Sequence, residues 1–142
     1  MKCELKKLQV YSRLSEETIA FNADLWIDGV KAAVCSNNGR GGCNDIRFED
    51  RALEARFNEW TKTLPREKEY NLEMNPDLFI SCLVAETDEK KRLARHLKTK
   101  VLFRINGDKK GEYRTVKFTP GKRDDVVKWV QNKYIGQLEE VL

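Results

Sequence analysis

Histidine occurs once in these 142 residues, methionine twice and proline three times. The single histidine, His96, excludes a metal site built from several imidazoles and leaves one candidate for a histidine general base. No apolar run approaches the roughly 20 residues that a membrane-spanning helix needs, so no membrane partner is expected. The opening Met1-Lys2-Cys3-Glu4-Leu5-Lys6-Lys7 lacks the apolar stretch of a secretory signal. Four cysteines, Cys3, Cys35, Cys43 and Cys82, contain no CxxC pair. That removes the usual zinc spacing and, without export, a disulfide framework. The expected setting is the cytoplasm, with no bound metal and no cofactor.

Acidic residues are scarce in one segment. From position 90 to 123 they are Asp108 and Glu112 alone, against 13 Lys or Arg. The whole chain is only +4, and residues 1–76 are near neutral. A field this uneven favours an anionic partner: a phosphorylated small molecule or nucleotide first, then nucleic acid or an acidic protein. Part of the cluster has plainer reasons, because cations at a helix C-terminus complement its dipole and lysines keep a surface soluble.

An apolar fraction of 40% and an aromatic fraction of 9% suffice for a core at this length. One α+β domain spanning 1–142 is expected. Phe21, Ala23, Leu25 and Ile27, preceded by Ile19, alternate with polar residues as in a half-buried strand. Asp28-Gly29 suits a two-residue type I′ turn, and 30–35 returns as the partner strand. Cys3 and Leu5 against Leu8 and Val10 change parity, which requires a bulge near Lys6-Lys7. A short strand is expected over 45–49. Leu53, Phe57, Trp60 and Leu64 then form a helical stripe, capped by Asp50 and stopped by Pro65. Residues 66–74 read as an ordered loop. Asn75-Pro76-Asp77 starts a second helix that buries Phe79, Cys82, Leu83, Leu93 and Leu97. A hairpin over 101–105 and 113–118 follows, and a last helix is expected through about Leu142 on Val127, Val130, Tyr134, Leu138 and Val141. The expected fold is therefore antiparallel sheet built of hairpins, with three helices packed on one side.

Two features bear on function. In Ser36-Asn37-Asn38-Gly39-Arg40-Gly41-Gly42-Cys43-Asn44 the glycines free the backbone to take positive φ, so that successive N–H groups can ring an anion. Arg40 would add a two-pronged hydrogen bond. Neither GxxxxGK[ST] nor GxGxxG is present, and the same residues also suit a plain connecting loop. The candidate ligand contacts here are Asn38, Gly39, Arg40, Gly41, Gly42 and Asn44. The second feature is the basic hairpin, with Arg104, Tyr113, Arg114 and Lys117. Strand parity places Arg104 and Arg114 on one face with Leu102, Val116 and Phe118, away from Val101, Phe103 and Ile105. Catalysis is the lesser reading: a Cys35 or Cys43 nucleophile would need His96, and a Mg²⁺ site would need Asp24, Asp28 and Asp45, or Glu49 and Asp50, to converge. No catalytic residue is assigned.

The runs from Phe21 to Gly29 and from Asn38 to Asn44, with Phe103-Arg104 and Gly111-Glu112-Tyr113-Arg114, resemble small uncharacterised proteins of phages and mobile elements. That resemblance implies a counter-defence role in a bacterial host cytosol, by inhibiting a host defence enzyme or sequestering a nucleotide signal. Arg40 and the cationic hairpin would then be phosphate ligands, and a homo-oligomer is compatible with such a role.

Overall fold

The computed structural model describes all 142 residues. It contains three helices and two antiparallel sheets, an α+β fold. By its contacts the chain divides into two compact units, Met1–Glu89 and Lys90–Leu142. The boundary falls inside a continuous helix, so no linker composition marks it in the sequence. No helix is long and apolar enough to cross a membrane.

The first unit is built on a four-stranded meander: β1 (Cys3–Val10), β2 (Phe21–Ile27), β3 (Val30–Asn37) and β4 (Asp45–Phe48), in that order and all antiparallel. The expected bulge is present. Pairing passes from Lys6 opposite Asp24 to Gln9 opposite Asn22, and Lys7 takes a φ of 55°. The extra residue is what lets Leu5 and Leu8, of opposite parity, both face the core. A second slip lies between Leu25 and Trp26 and buries the neighbours Ala32 and Ala33 together. Asp28 and Gly29 both have positive φ, 51° and 82°, as a type I′ turn demands. Ile19 stays outside the strand and is exposed, whereas Phe21, Ala23, Leu25 and Ile27 are buried.

Helix α1 (Arg51–Lys62) begins where the Asp50 carboxylate accepts from the Ala52 and Leu53 amides at 2.9 and 3.3 Å. At the start of α2 (Pro76–Leu97), Asn75 Oδ1 accepts from the Leu78 amide at 2.8 Å. Phe57 of α1 and Ile80 and Val84 of α2 join the inward residues of β2 and β3 in one cluster, so both helices cover the same face of the sheet. The buried pair of α2 is Ile80 and Val84; Phe79 and Leu83, expected in its inner stripe, flank it, while Cys82, expected there too, lies outside the cluster. The two sets lie one position apart on the helix, and the sheet selects the branched aliphatic pair. The 66–74 loop is ordered: the Arg66 guanidinium donates to the Asn71 carbonyl at 2.8 Å and to Glu73 at 3.2 Å.

The second unit holds a three-stranded sheet in the order β6 (Arg114–Lys117), β5 (Lys100–Ile105), β7 (Leu138–Val141), with α3 (Arg123–Lys133) between β6 and β7 in sequence. Val101, Leu102 and Phe103 of the central strand are all buried, and Tyr134 sits 5.1 Å from Phe103, ring to ring. The expected final helix is shorter than its apolar spacing suggested. It stops at Lys133, the chain turns through Gly136 at a φ of 76°, and it returns as β7 beside β5. Leu138 and Val141 meet Ile105 and Phe103 across the ladder, and Glu140 lies opposite Arg104. Those pairings satisfy backbone groups that a longer helix would have satisfied internally.

The hairpin face also needs correction. Phe103 pairs with Arg114 and Leu102 with Thr115. Directly opposed residues of an antiparallel pair share a face. Arg114 is therefore on the Phe103 face, and Arg104, two residues from Leu102 on the same strand, is on the other. The even numbering of both arginines misled because the register pairs even positions of β5 with odd positions of β6.

Candidate ligand-binding site

The loop after β3 is held by side-chain oxygens from three directions. Asn37 is the hub. Its Oδ1 accepts from the Thr18 hydroxyl at 2.7 Å and from the Gly39 amide at 2.8 Å, and its Nδ2 donates to Asn44 Oδ1 at 3.0 Å. The Arg40 amide donates to Asn38 Oδ1 and the Gly41 amide to Thr18 Oγ1. Asn44 anchors the far end, its amide donating to the Asp77 carboxylate at 2.6 Å and its Nδ2 to the Ser81 hydroxyl at 2.8 Å. The Gly39 carbonyl accepts from the amides of Glu16, Glu17 and Thr18.

Gly39, Gly41 and Gly42 do take positive φ, as the sequence led one to expect. The amides of Gly39, Arg40 and Gly41, however, point at the protein's own oxygens rather than outward. The loop is thus a pre-formed wall, and the group it offers outward is the Arg40 side chain. A carbon added at Gly39 would collide with the Leu14 carbonyl oxygen and lie 2.9 Å from Ala20 Cβ. Glycine is required there for space as well as for φ.

Two clefts meet this wall, and both share Phe21 and Asn37. One, of about 400 Å³, is bordered by Tyr11, Glu16, Asn22, Asn38 and Arg40 over an apolar floor of Leu14, Ala20 and Phe21. The other, of about 280 Å³, has Ile19, Phe21 and Val84 as its apolar surface and Asn44, Asp77 and Ser81 as its polar rim. These sizes are near the range of small-molecule sites, which combine an apolar lining with a few converging polar groups. The first unit carries 12 basic and 17 acidic residues. Four of its twelve cations pair with carboxylates: Lys31 with Asp24, Arg47 with Asp45, Lys62 with Glu59, Arg66 with Glu73. Arg40 forms no ion pair and stands exposed at its cleft. The sequence pointed to Asn38, Arg40, Asn44 and the glycines; Tyr11, Thr18, Asn22, Asp77 and Ser81 were missed, and Asn37, inside the same run, was given no role. The missed residues lie on other elements, and the β1–β2 and β2–β3 pairings and the α2 start bring them near.

The basic hairpin is organised differently. Arg114 grips Asp108 with Nε and Nη2 at 2.9 and 3.1 Å. Arg104, largely buried, reaches Glu139 at 3.3 Å and Glu140 at 3.6 Å, and the Tyr113 hydroxyl donates to Glu140 at 3.2 Å. The anions facing these three residues are carboxylates of the same chain. Lys117 alone of this group is exposed without an ion pair, directly opposite Lys100.

The Asp108 carboxyl is held below its ordinary value of 3.8, first by the hydrogen bonds from Arg114 and then by the Ile105 amide. A depressed carboxylate stabilises the fold above its unfolded value and loses that effect as pH falls through the folded one. Asp108→Asn should therefore lower the melting temperature at pH 7, and its difference from the unaltered protein should shrink as pH drops below about 3.8. Thermal unfolding at a series of pH values checks this; a constant difference across that window would mean that Asp108 acts through packing rather than charge.

The Cys35 thiol is fully buried and pushed up to about 12, chiefly by burial and then by Asp24 and Asp45, which leaves it a poor nucleophile. Asp24 pairs with Lys31, Asp45 with Arg47, and Asp28 accepts from the Lys2 amide. No three acidic, cysteine or histidine side chains converge as a metal ion would require. No family model, curated protein or solved structure matches this chain.

Proposed function

We propose that the first unit is a non-catalytic binding module for a small phosphorylated ligand, held by Arg40 in the larger of the two clefts. The observation that carries this reading is an arginine left without a carboxylate, in an acid-rich unit, at the edge of a cleft whose wall is pinned by side-chain hydrogen bonds. A pinned wall matters because a loop already ordered loses little entropy when a ligand arrives. The guanidinium can give two parallel hydrogen bonds to a phosphate oxygen pair. Tyr11, Asn22 and Asn38 supply hydroxyl and amide groups for a sugar or base, and Phe21 supplies an apolar floor. The resemblance to phage and mobile-element proteins puts nucleotide signals first among the ligands to try, with sequestration of such a signal as the sharpest form of the reading. Arg104, Tyr113 and Arg114 are not needed for it, since carboxylates of the chain already occupy them.

Titration calorimetry with cyclic dinucleotides, ADP-ribose and NAD tests the proposal. A charge-assisted pair is worth about 2 kcal/mol, so Arg40→Ala should weaken binding roughly 30-fold. Its melting temperature should stay put, because the side chain is exposed and unpaired. A nucleotide bound equally well by Arg40→Ala would remove the site.

A further inference from the structure

The second unit carries 15 basic and six acidic residues, a net charge of +9 in its 53 residues. The acids are already engaged for the most part: Asp108 holds Arg114, Glu139 and Glu140 hold Arg104, and Asp125 lies 3.9 Å from Lys122. Glu112 and Asp124 alone remain outside the ion pairs. The surplus is therefore a set of unpaired surface cations, among them Lys98, Lys100, Lys109, Lys117, Lys128 and Lys133. Lys100 and Lys117 stand directly opposite each other across β5 and β6. Like charges at opposed ladder positions destabilise a sheet, and a bound anion would relieve them.

An exposed aromatic accompanies this charge. Trp129 of α3 is 48% exposed, with the Lys133 ammonium 4.7 Å from its ring centre. A half-open indole beside a lysine offers a base a stacking surface and the adjoining phosphate a cation.

We infer that the second unit binds single-stranded nucleic acid without reading its sequence, its unpaired lysines contacting phosphates and Trp129 stacking on a base. This binding is separate from the Arg40 cleft and does not depend on it. Nucleic acid is preferred to an acidic protein because the cations are spread over both strands of a hairpin, its tip and a helix. A repeating phosphate backbone matches such a spread, and the released counterions drive its binding. The absence of any groove-reading motif agrees with sequence independence.

The test is fluorescence anisotropy of the full chain with a labelled 20-mer of deoxythymidine. With about four phosphate contacts, raising the salt from about 50 to 200 mM should weaken binding roughly 50-fold. Removing a stacked base contact should cost about tenfold or more in Trp129→Ala, with circular dichroism unchanged. Lys100→Gln with Lys117→Gln should weaken binding and flatten the salt dependence, while Lys68→Gln in the first unit should do neither. Three results would overturn the inference: no binding at about 50 mM salt, affinity unaltered in Trp129→Ala, or displacement of the oligonucleotide by polyglutamate as effectively as by unlabelled strand. If Trp129→Ala unfolds the unit, Trp129→Phe replaces it and should retain part of the affinity.

Discussion

Replacing Phe57 by alanine is expected to destabilise the first unit by about 4 kcal/mol, the middle of the range for emptying a buried aromatic site. Phe57 has no exposed surface. Its ring lies 5.4 Å from Phe48 of β4, 6.1 Å from Trp60 of α1 and 5.8 Å from Phe79 of α2. Trp60 and Phe79 also meet edge to face at 5.2 Å. Each tilted or edge-to-face pair adds roughly 0.5–1.5 kcal/mol to simple area burial. One truncation thus loosens a strand and two helices together, and the three surrounding rings are too bulky to collapse into the space. Urea unfolding followed by tryptophan fluorescence measures the loss. A change below about 2 kcal/mol would mean that the neighbours close the cavity, and the cluster would not be the rigid joint described here.

The second large effect is expected at Gly39. Alanine there must hold a φ of 81° and place its Cβ against the Leu14 carbonyl and Ala20. Left-handed backbone costs a non-glycine residue about 1–2 kcal/mol, and the collision adds about 1–3 kcal/mol as overpacking does. The sum, about 3 kcal/mol, should lower the melting temperature by roughly 10 °C. It should also pull apart the contact between the Gly39 carbonyl and the amides of Glu16, Glu17 and Thr18. Gly42→Ala is the comparison. Gly42 has the same sign of φ, 86°, but nothing within 4 Å of an added carbon, so about 1 kcal/mol is expected from the backbone alone. Equal losses in the two variants would show that the close approach at Gly39 contributes nothing.

Gly39 also illustrates what the sequence discloses and what it withholds. The run of Asn and Gly announces positive φ, and three of its glycines adopt it. What the run cannot disclose is where the amides point, because their acceptors include Thr18, which lies 19 residues away from Asn37. Local signals served well where the cause is local. The Asp50 and Asn75 caps, the Asp28-Gly29 turn and the β1 bulge each depend on neighbours a few residues apart, and all are present. Register is a non-local property. The faces of Arg104 and Arg114 were misjudged because one residue of offset across the hairpin reverses a side. The tail from Leu138 to Val141 was read as helix because its apolar spacing fits 3.6 residues per turn. Gly136 and the partnership with β5 outweighed that spacing.

The pairing of Arg104 and Arg114 with internal carboxylates alters the weight of the basic segment. Arg104 and Arg114 are held by carboxylates within a small sheet, whereas Lys100 and Lys117 have no carboxylate partner. The phosphate site proposed here moves to the Gly-rich loop, where one arginine has no internal anion.

That claim is tested most directly by following the arginine side-chain N–H signals of ¹⁵N-labelled protein during a titration with pyrophosphate. A saturable shift of the Arg40 Nε–H resonance is expected, accompanied by the Asn22 and Asn38 side-chain amides. Saturable shifts among residues of Lys90–Leu142, with Arg40, Asn22 and Asn38 unmoved, would contradict it.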